Sequence, residues 1–267
     1  SKELENLAPS VKDLGFDWIE VPLEDLGDMV HKRGAEILLA YGLGVSAWAA
    51  LGPDRDLLQP DPDIRASGMA YLKGAIKATN DLGATNLVGP LYSAVGRTWQ
   101  STEDERARDT DLLVENLGEL AKYAADYDVV LCLEPLNRFE TSFVNLAWQA
   151  IPIIDQVDHP NCQIMLDTFH KNIEEKSLGN AIRAVGPRLH HVHACENDRG
   201  APGTGNIPWD EVAKGLNDIG YDGPVVNESF TAKVKSIARA AAIWRSLAPS
   251  QDALAEDGLK FLRQLLT

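Results

Sequence analysis

The chain has 267 residues, 45% of them apolar, which is the length of one α/β barrel and enough material for a sizeable core. With 25 Lys and Arg against 40 Asp and Glu the net charge is −15, which repels a phosphate backbone and argues against nucleic acid as a partner. No stretch approaches the roughly 20 uninterrupted apolar residues of a membrane helix, and Cys132, Cys162 and Cys195 are too scattered for a disulfide framework, so a cytoplasmic protein with no membrane partner is expected.

A unit recurs along the chain: an amphipathic run, a glycine, then a short β-rich run. It is visible at Leu14-Gly15-Phe-Asp-Trp-Ile, at Leu82-Gly83-Ala-Thr-Asn-Leu and at Ile219-Gly220-Tyr-Asp-Gly-Pro. A glycine closing a helix can take the left-handed conformation that turns the chain into the next strand. In chain order the pattern predicts a first helix over 3–14 and strands over 18–21, 45–48, 87–88, 129–134, 163–167, 189–194 and 225–228. Helices are predicted over 64–82, 103–127, 146–157, 178–185, 209–219, 234–247 and 253–266, with a long Pro/Asp-rich loop over 52–63. Strands alternating with helices imply a parallel sheet covered on both faces. The expectation is one domain over 1–267, a (β/α)8 TIM barrel. Seven strands are one short of closure, and an unpaired parallel edge is a poor end state; the reading is that the first strand is absent from this chain.

Four ionisable residues fall at the ends of four successive strands: Glu134, Asp167, His193 and Glu228. In a parallel barrel the C-terminal strand ends form one rim, so these side chains should meet there. Period-2 alternation puts Cys132 with Glu134, Met165 with Asp167, His191 with His193, and Val226 with Glu228 on one face, which would point into the barrel. Two Glu, one Asp and one His make a hard, oxygen-rich set suited to Mn²⁺, Mg²⁺ or Co²⁺. Three clustered carboxylates would be costly without a cation. Around them, His170 and Arg199 suit hydroxyl or enolate oxygens, while Glu140 and Glu196 are open between a site role and loop solvation or capping. His191 reads as a barrel-core histidine and Cys195 as packing beside the site.

Four ordered motifs carry a resemblance over nearly the whole chain: Leu133-Glu-Pro-Leu-Asn-Arg-Phe-Glu140, Leu166-Asp-Thr-Phe-His-Lys-Asn-Ile-Glu-Glu175, His193-x-x-Glu-x-x-Arg199 with Pro202-Gly-Thr-Gly-Asn-Ile-Pro-Trp209, and Asn227-Glu-Ser229. The chain resembles the ketose 3-epimerases (D-tagatose and D-allulose, or D-psicose, 3-epimerase) of the xylose-isomerase-like sugar isomerase/epimerase superfamily. The resemblance implies that Glu134, Asp167, His193 and Glu228 bind a divalent metal, Mn²⁺ foremost, with Glu134 and Glu228 also the acid/base pair. It implies that Glu140, His170 and Arg199 bind the O1–O3 end of an unphosphorylated ketose. One glutamate would remove the C3 proton and the other return it on the opposite face, through a cis-enediolate.

Trp48 is a candidate wall for the far end of the sugar. Lys171, Cys195 and Asp198 depart from the family pattern, and Lys171 could be solvated or meet an anionic group. The Gly203-Thr-Gly205 turn could cradle a phosphate. The alternatives are an aldose–ketose isomerase or phosphosugar epimerase on the same barrel, or a non-catalytic sugar- or metal-binding barrel. An apolar face over 238–244 would permit a homo-oligomer.

Overall fold

Each predicted glycine turn takes a left-handed backbone, with φ of +96° at Gly15, +79° at Gly83 and +64° at Gly220. The turns feed β1 (Trp18–Pro22), β3 (Asn86–Gly89) and β7 (Val225–Asn227). The computed structural model describes residues 2–27 and 30–267, apart from the side chains of 236 and 237. The remaining strands are β2 (Gly44–Trp48), β4 (Val130–Leu133), β5 (Cys162–Asp167) and β6 (Leu189–Ala194). They form one parallel sheet in the order β1-β2-β3-β4-β5-β6-β7, curled as an α/β barrel.

The helices are α1 (Lys2–Leu14), α2 (His31–Ala40), α3 (Pro62–Asp81), α4 (Glu103–Ala125), α5 (Ala147–Val157), α6 (Thr168–Glu174), α7 (Leu178–Val185), α8 (Trp209–Asp218), α9 (Lys235–Ala240) and α10 (Gln251–Leu265). Their starts are locally encoded. Asp61 caps α3, Ser177 caps α7 and Ser250 caps α10, and Thr102 with Glu105 closes a capping box on α4. No helix among the described residues is long and apolar enough to cross a membrane.

Three expectations need correction. The helix predicted over 234–247 ends at Ala240, because Ala242 turns left-handed at φ +54° and Ile243 N–H returns to Ala238 C=O. The apolar face expected over 238–244 is therefore mostly a turn, with Trp244 exposed. α2 and α6 lie outside the predicted pattern: α6 is short and ends without a glycine, whereas α2 is closed by Gly42 at φ +63°, a signal left unread in the sequence. The 52–63 loop holds a short 3-10 turn, Pro53–Arg55, before α3 begins.

The core has an outer part and an inner part. Between sheet and helices lie two large apolar clusters, one under α4–α8 and one under α1–α4. Inside the barrel, Val88, Cys132 and Met165 pack together with Trp48 against them. β1 and β7 do not pair with each other, and a cavity of about 1390 Å³ opens along them, lined by Trp18, Ile19, Val225 and Val226 and by Leu259 of α10. Its upper end reaches Glu134, Glu140, His170, Arg199 and Glu228.

Candidate active site

The strand register delivers the predicted convergence. Asp167 pairs with His193, and His193 with Val226, so the alternation places Asp167 and His193 level on one face. Glu134 and Glu228 lie one residue past their strands but stay in the pleat, because Glu134 N–H donates to Gly89 C=O (3.0 Å) and Glu228 N–H to Ala194 C=O (3.3 Å). Atoms of Glu134, Asp167 and His193 lie within 4.8 Å of one another, as do those of Asp167, Cys195 and Glu228. Asp167 belongs to both sets, and His193 Nδ1 lies 3.4 Å from Glu228 Oε1.

Asp167 also caps α6: one carboxylate oxygen accepts from Phe169 N–H at 2.7 Å. Its other oxygen accepts from Arg199 Nη1 at 2.6 Å. The cap sets the start of α6 at the site and thereby brings His170 over it.

Arg199 is the centre of the charge network. Nη1 bridges Asp167 and Glu228 Oε2 (2.5 Å), and the guanidinium lies 4.0 Å over the Phe169 ring. Its backbone is left-handed at φ +67°, a conformation that costs a non-glycine residue free energy and is held here by this network.

Asn137 positions two of the predicted substrate contacts. Its side-chain amide donates to Glu140 Oε1 (2.9 Å) and its backbone N–H donates to His170 Nδ1 (3.0 Å). Burial drives His170 well below the usual imidazole range, so the ring is neutral. Its Nε2 faces the Arg199 Nη2 donor at 3.1 Å, with Glu134 at 3.7 Å and Asp167 at 3.8 Å beyond it. Trp48 lines the cavity from the end of β2, and its buried Nε1 has no hydrogen-bond partner.

The electrostatics are unbalanced. Burial raises Glu134 well above the carboxylate range, and Glu228 and Asp167 add to that despite the opposing His193 and Arg199. Burial would raise Glu228 as well, but His193 and Arg199 outweigh it and hold it at about 2. Burial also raises Glu140. A buried set that cannot ionise all its carboxylates is short of positive charge.

The structure divides the remaining sequence candidates. Glu196 is fully buried outside the site and accepts from Gly203 N–H, Ile207 N–H and Trp209 Nε1, each at 2.8 Å. It is the lock of the loop that follows β6, neither solvated nor a cap. The same contacts bind the Gly203 amide to a carboxylate, so the turn is no free anion cradle. A Cβ at Gly205 would stand 2.7 Å from Glu196 Oε1, which is why the loop needs glycine there. Lys171 is neither solvated nor near an anion's approach: it is buried, and its amine donates to the Asn145 carbonyl. Cys195 packs beside the site, with Sγ 3.0 Å from Arg199 Nη1.

The sequence reading missed Glu20 and Ser46, which pair across β1 and β2 and face the barrel interior opposite His191 and His193. The available signal was a carboxylate between Ile19 and Val21 in an otherwise apolar strand. It was overlooked because it lies mid-strand and not at the rim.

The comparisons agree with this geometry. A family profile described as "Xylose isomerase-like TIM barrel" matches residues 9–265. A D-psicose 3-epimerase of Ruminiclostridium cellulolyticum is 38% identical over 91% of this chain and 83% of its own length. Among solved structures, D-psicose 3-epimerase with D-tagatose from Clostridium cellulolyticum H10 superposes with a TM-score of 0.91 at 35% identity, covering 98% of this chain and 93% of that one. D-allulose 3-epimerase from Methylomonas sp. in complex with D-allulose gives 0.92 at 32% identity, covering 98% and 91%. A carboxylate-rich rim on a parallel barrel, matched across nearly its full length by such relatives, has one placement: the chain belongs to the ketose 3-epimerases of the xylose isomerase-like TIM-barrel family.

Proposed function

We propose that this chain is a divalent-cation-dependent epimerase that inverts C3 of an unphosphorylated ketose such as D-tagatose, D-allulose/D-fructose or a ketopentose. One observation carries the reading: Glu134 just past β4 and Glu228 just past β7, separated by two strands, converge with Asp167 and His193 and both line one cavity. A proton removed by one glutamate and returned by the other from the opposite side inverts the centre, whereas a single base would restore it.

The residues fit a cation. The donor set is hard and oxygen-rich, its carboxylates exceed the compensating charge, and buried His193 Nδ1 has no hydrogen-bond partner. Glu134, Asp167, His193 and Glu228 would hold it, with Mn²⁺ the first choice and Co²⁺ or Mg²⁺ also suited. A bound divalent cation supplies Lewis acidity toward the sugar oxygens. Arg199 and His170 orient the oxygens next to C3, and Glu140, held by Asn137, accepts from a substrate hydroxyl. Trp48, with Leu51, Val95 and Leu136, offers an apolar wall to the rest of the sugar. The commitment of the Gly203 amide to Glu196 supports a free sugar over a phosphosugar.

A panel of ketoses turned over in deuterated water tests this. Deuterium should enter at C3 only, and only with the cation present. Label at C1 or C2 would make the enzyme an aldose–ketose isomerase, and absence of turnover with sugar still bound would make it a binding protein.

A further inference from the structure

Glu20 lies outside the residues given a role above, yet it touches the centre of the site from the far side of the barrel. Its Oε1 lies 2.7 Å from His193 Nε2 and its Oε2 lies 3.0 Å from His191 Nε2. Ser46 Oγ donates to the same Oε2 at 2.7 Å. His191, two residues before His193 on the same face, meets the His193 ring edge-on, with centroids 5.2 Å apart and planes at 75°. The Glu20 carboxylate is thus held on one oxygen by Ser46, with His191 Nε2 close to the same oxygen, and its other oxygen faces His193. Only 11% of its side chain is exposed, and both histidine side chains are fully buried, so water does not compete for these contacts.

The two nitrogens of one imidazole point to different sides of the ring, and a neutral ring carries its proton on only one of them. On His193 the sides are distinct: Nε2 faces Glu20, and Nδ1 faces Glu228 at 3.4 Å, in the ring that groups with Glu134 and Asp167. A carboxylate at Nε2 favours the proton there and leaves the Nδ1 lone pair for a cation. It also makes that lone pair more basic.

We propose that Glu20 is a positioning residue for His193: fixed by Ser46, it holds the imidazole so that Nδ1 is presented to the cation-binding cluster. The inference rests on the reading of His193 as a cation ligand given above.

The test is Mn²⁺ affinity, read from the electron paramagnetic resonance signal of free Mn²⁺ during titration, with no substrate and no turnover. The wild type, Glu20→Leu, Glu20→Gln and Ser46→Ala are compared, with His193→Ala as the reference and circular dichroism as the check on folding. Loss of the acceptor in Glu20→Leu should weaken Mn²⁺ binding about 10- to 100-fold. Glu20→Gln keeps an acceptor for Nε2 and should recover part of that loss, an ordering that a purely structural role would not produce. Ser46→Ala should weaken binding by a smaller factor. If Glu20→Leu does not fold, Glu20→Gln decides. Mn²⁺ affinity within twofold of wild type in a folded Glu20 variant overturns the role of Glu20 while leaving the cation reading intact. A wild type that binds no Mn²⁺, or a His193→Ala variant that binds it as tightly as wild type, overturns that underlying reading and this inference with it.

Discussion

Arg97, in the segment that joins β3 to α4, is buried between Asp109 at 2.6 Å and Asp56 at 3.6 Å, whereas Arg199 sits among Asp167, Glu228, Glu134 and Glu140 at the barrel mouth. Both are guanidiniums buried with carboxylates, but the first group is compensated. Arg108 approaches Asp109 from outside at 3.3 Å, and Asp56 accepts the Leu58 N–H on one oxygen while its other oxygen has only the Arg97 contact, so two bases stand against two acids. Around Arg199 the acids outnumber the bases, and burial, with Glu228 and Asp167 adding to it, raises Glu134 well above the carboxylate range. The difference teaches how to tell the two kinds of buried charge apart: a group that holds a fold together closes its own balance, and a group that does chemistry leaves it open for what binds.

The largest effect should come from the open cluster. Glu134→Gln and Glu228→Gln each keep the shape and lose the proton-transferring group, and kcat should fall at least about 10²- to 10⁴-fold while both proteins stay folded. Full epimerisation by either variant would rule out two bases.

Breaking the closed cluster should do the reverse. Arg97→Met leaves Asp56 with only the Leu58 N–H and Asp109 with only the outlying Arg108, and should cost about 3–5 kcal/mol of stability in urea unfolding, with the per-molecule kcat of the folded fraction unchanged. A stable Arg97→Met protein would mean that water, and not Arg97, satisfies those acids.

Cation binding sharpens the contrast further. Mn²⁺ at about 100 times its Kd should stabilise the wild type by about 2.7 kcal/mol, and chelation should reverse it. The same increment should persist in Arg97→Met and vanish in Asp167→Asn; a shift retained in Asp167→Asn would place the cation elsewhere.

Lys171 is a third case, a buried charge with a carbonyl and no close carboxylate. Burial lowers its pKa from 10.5 to about 8. Between those two values the unfolded chain binds the proton and the folded one does not, so stability rises with pH across that window and carries the full penalty below it. Relative to Lys171→Met, the wild type should gain up to about 3 kcal/mol on going from pH 8 to pH 10.5. Parallel pH curves for the two proteins would show that the amine stays charged in the fold.

Local chemistry determined much of this protein in the sequence itself. Left-handed glycines ended helices, alternation set the faces of strands, and ionisable residues at four strand ends announced a rim, because each signal depends only on neighbours within one βα unit. The tertiary structure decided what depends on residues far apart in the chain. Glu196 became a loop lock because the chain folds back over it with three donors, and Lys171 turned inward to the carbonyl of Asn145. The same holds for Glu20, a mid-strand carboxylate whose place opposite His191 and His193, some 170 residues away (191 − 20 = 171), exists only once β1 and β6 face each other across the barrel. Burial and partner are properties of the closed space, and a linear text carries neither.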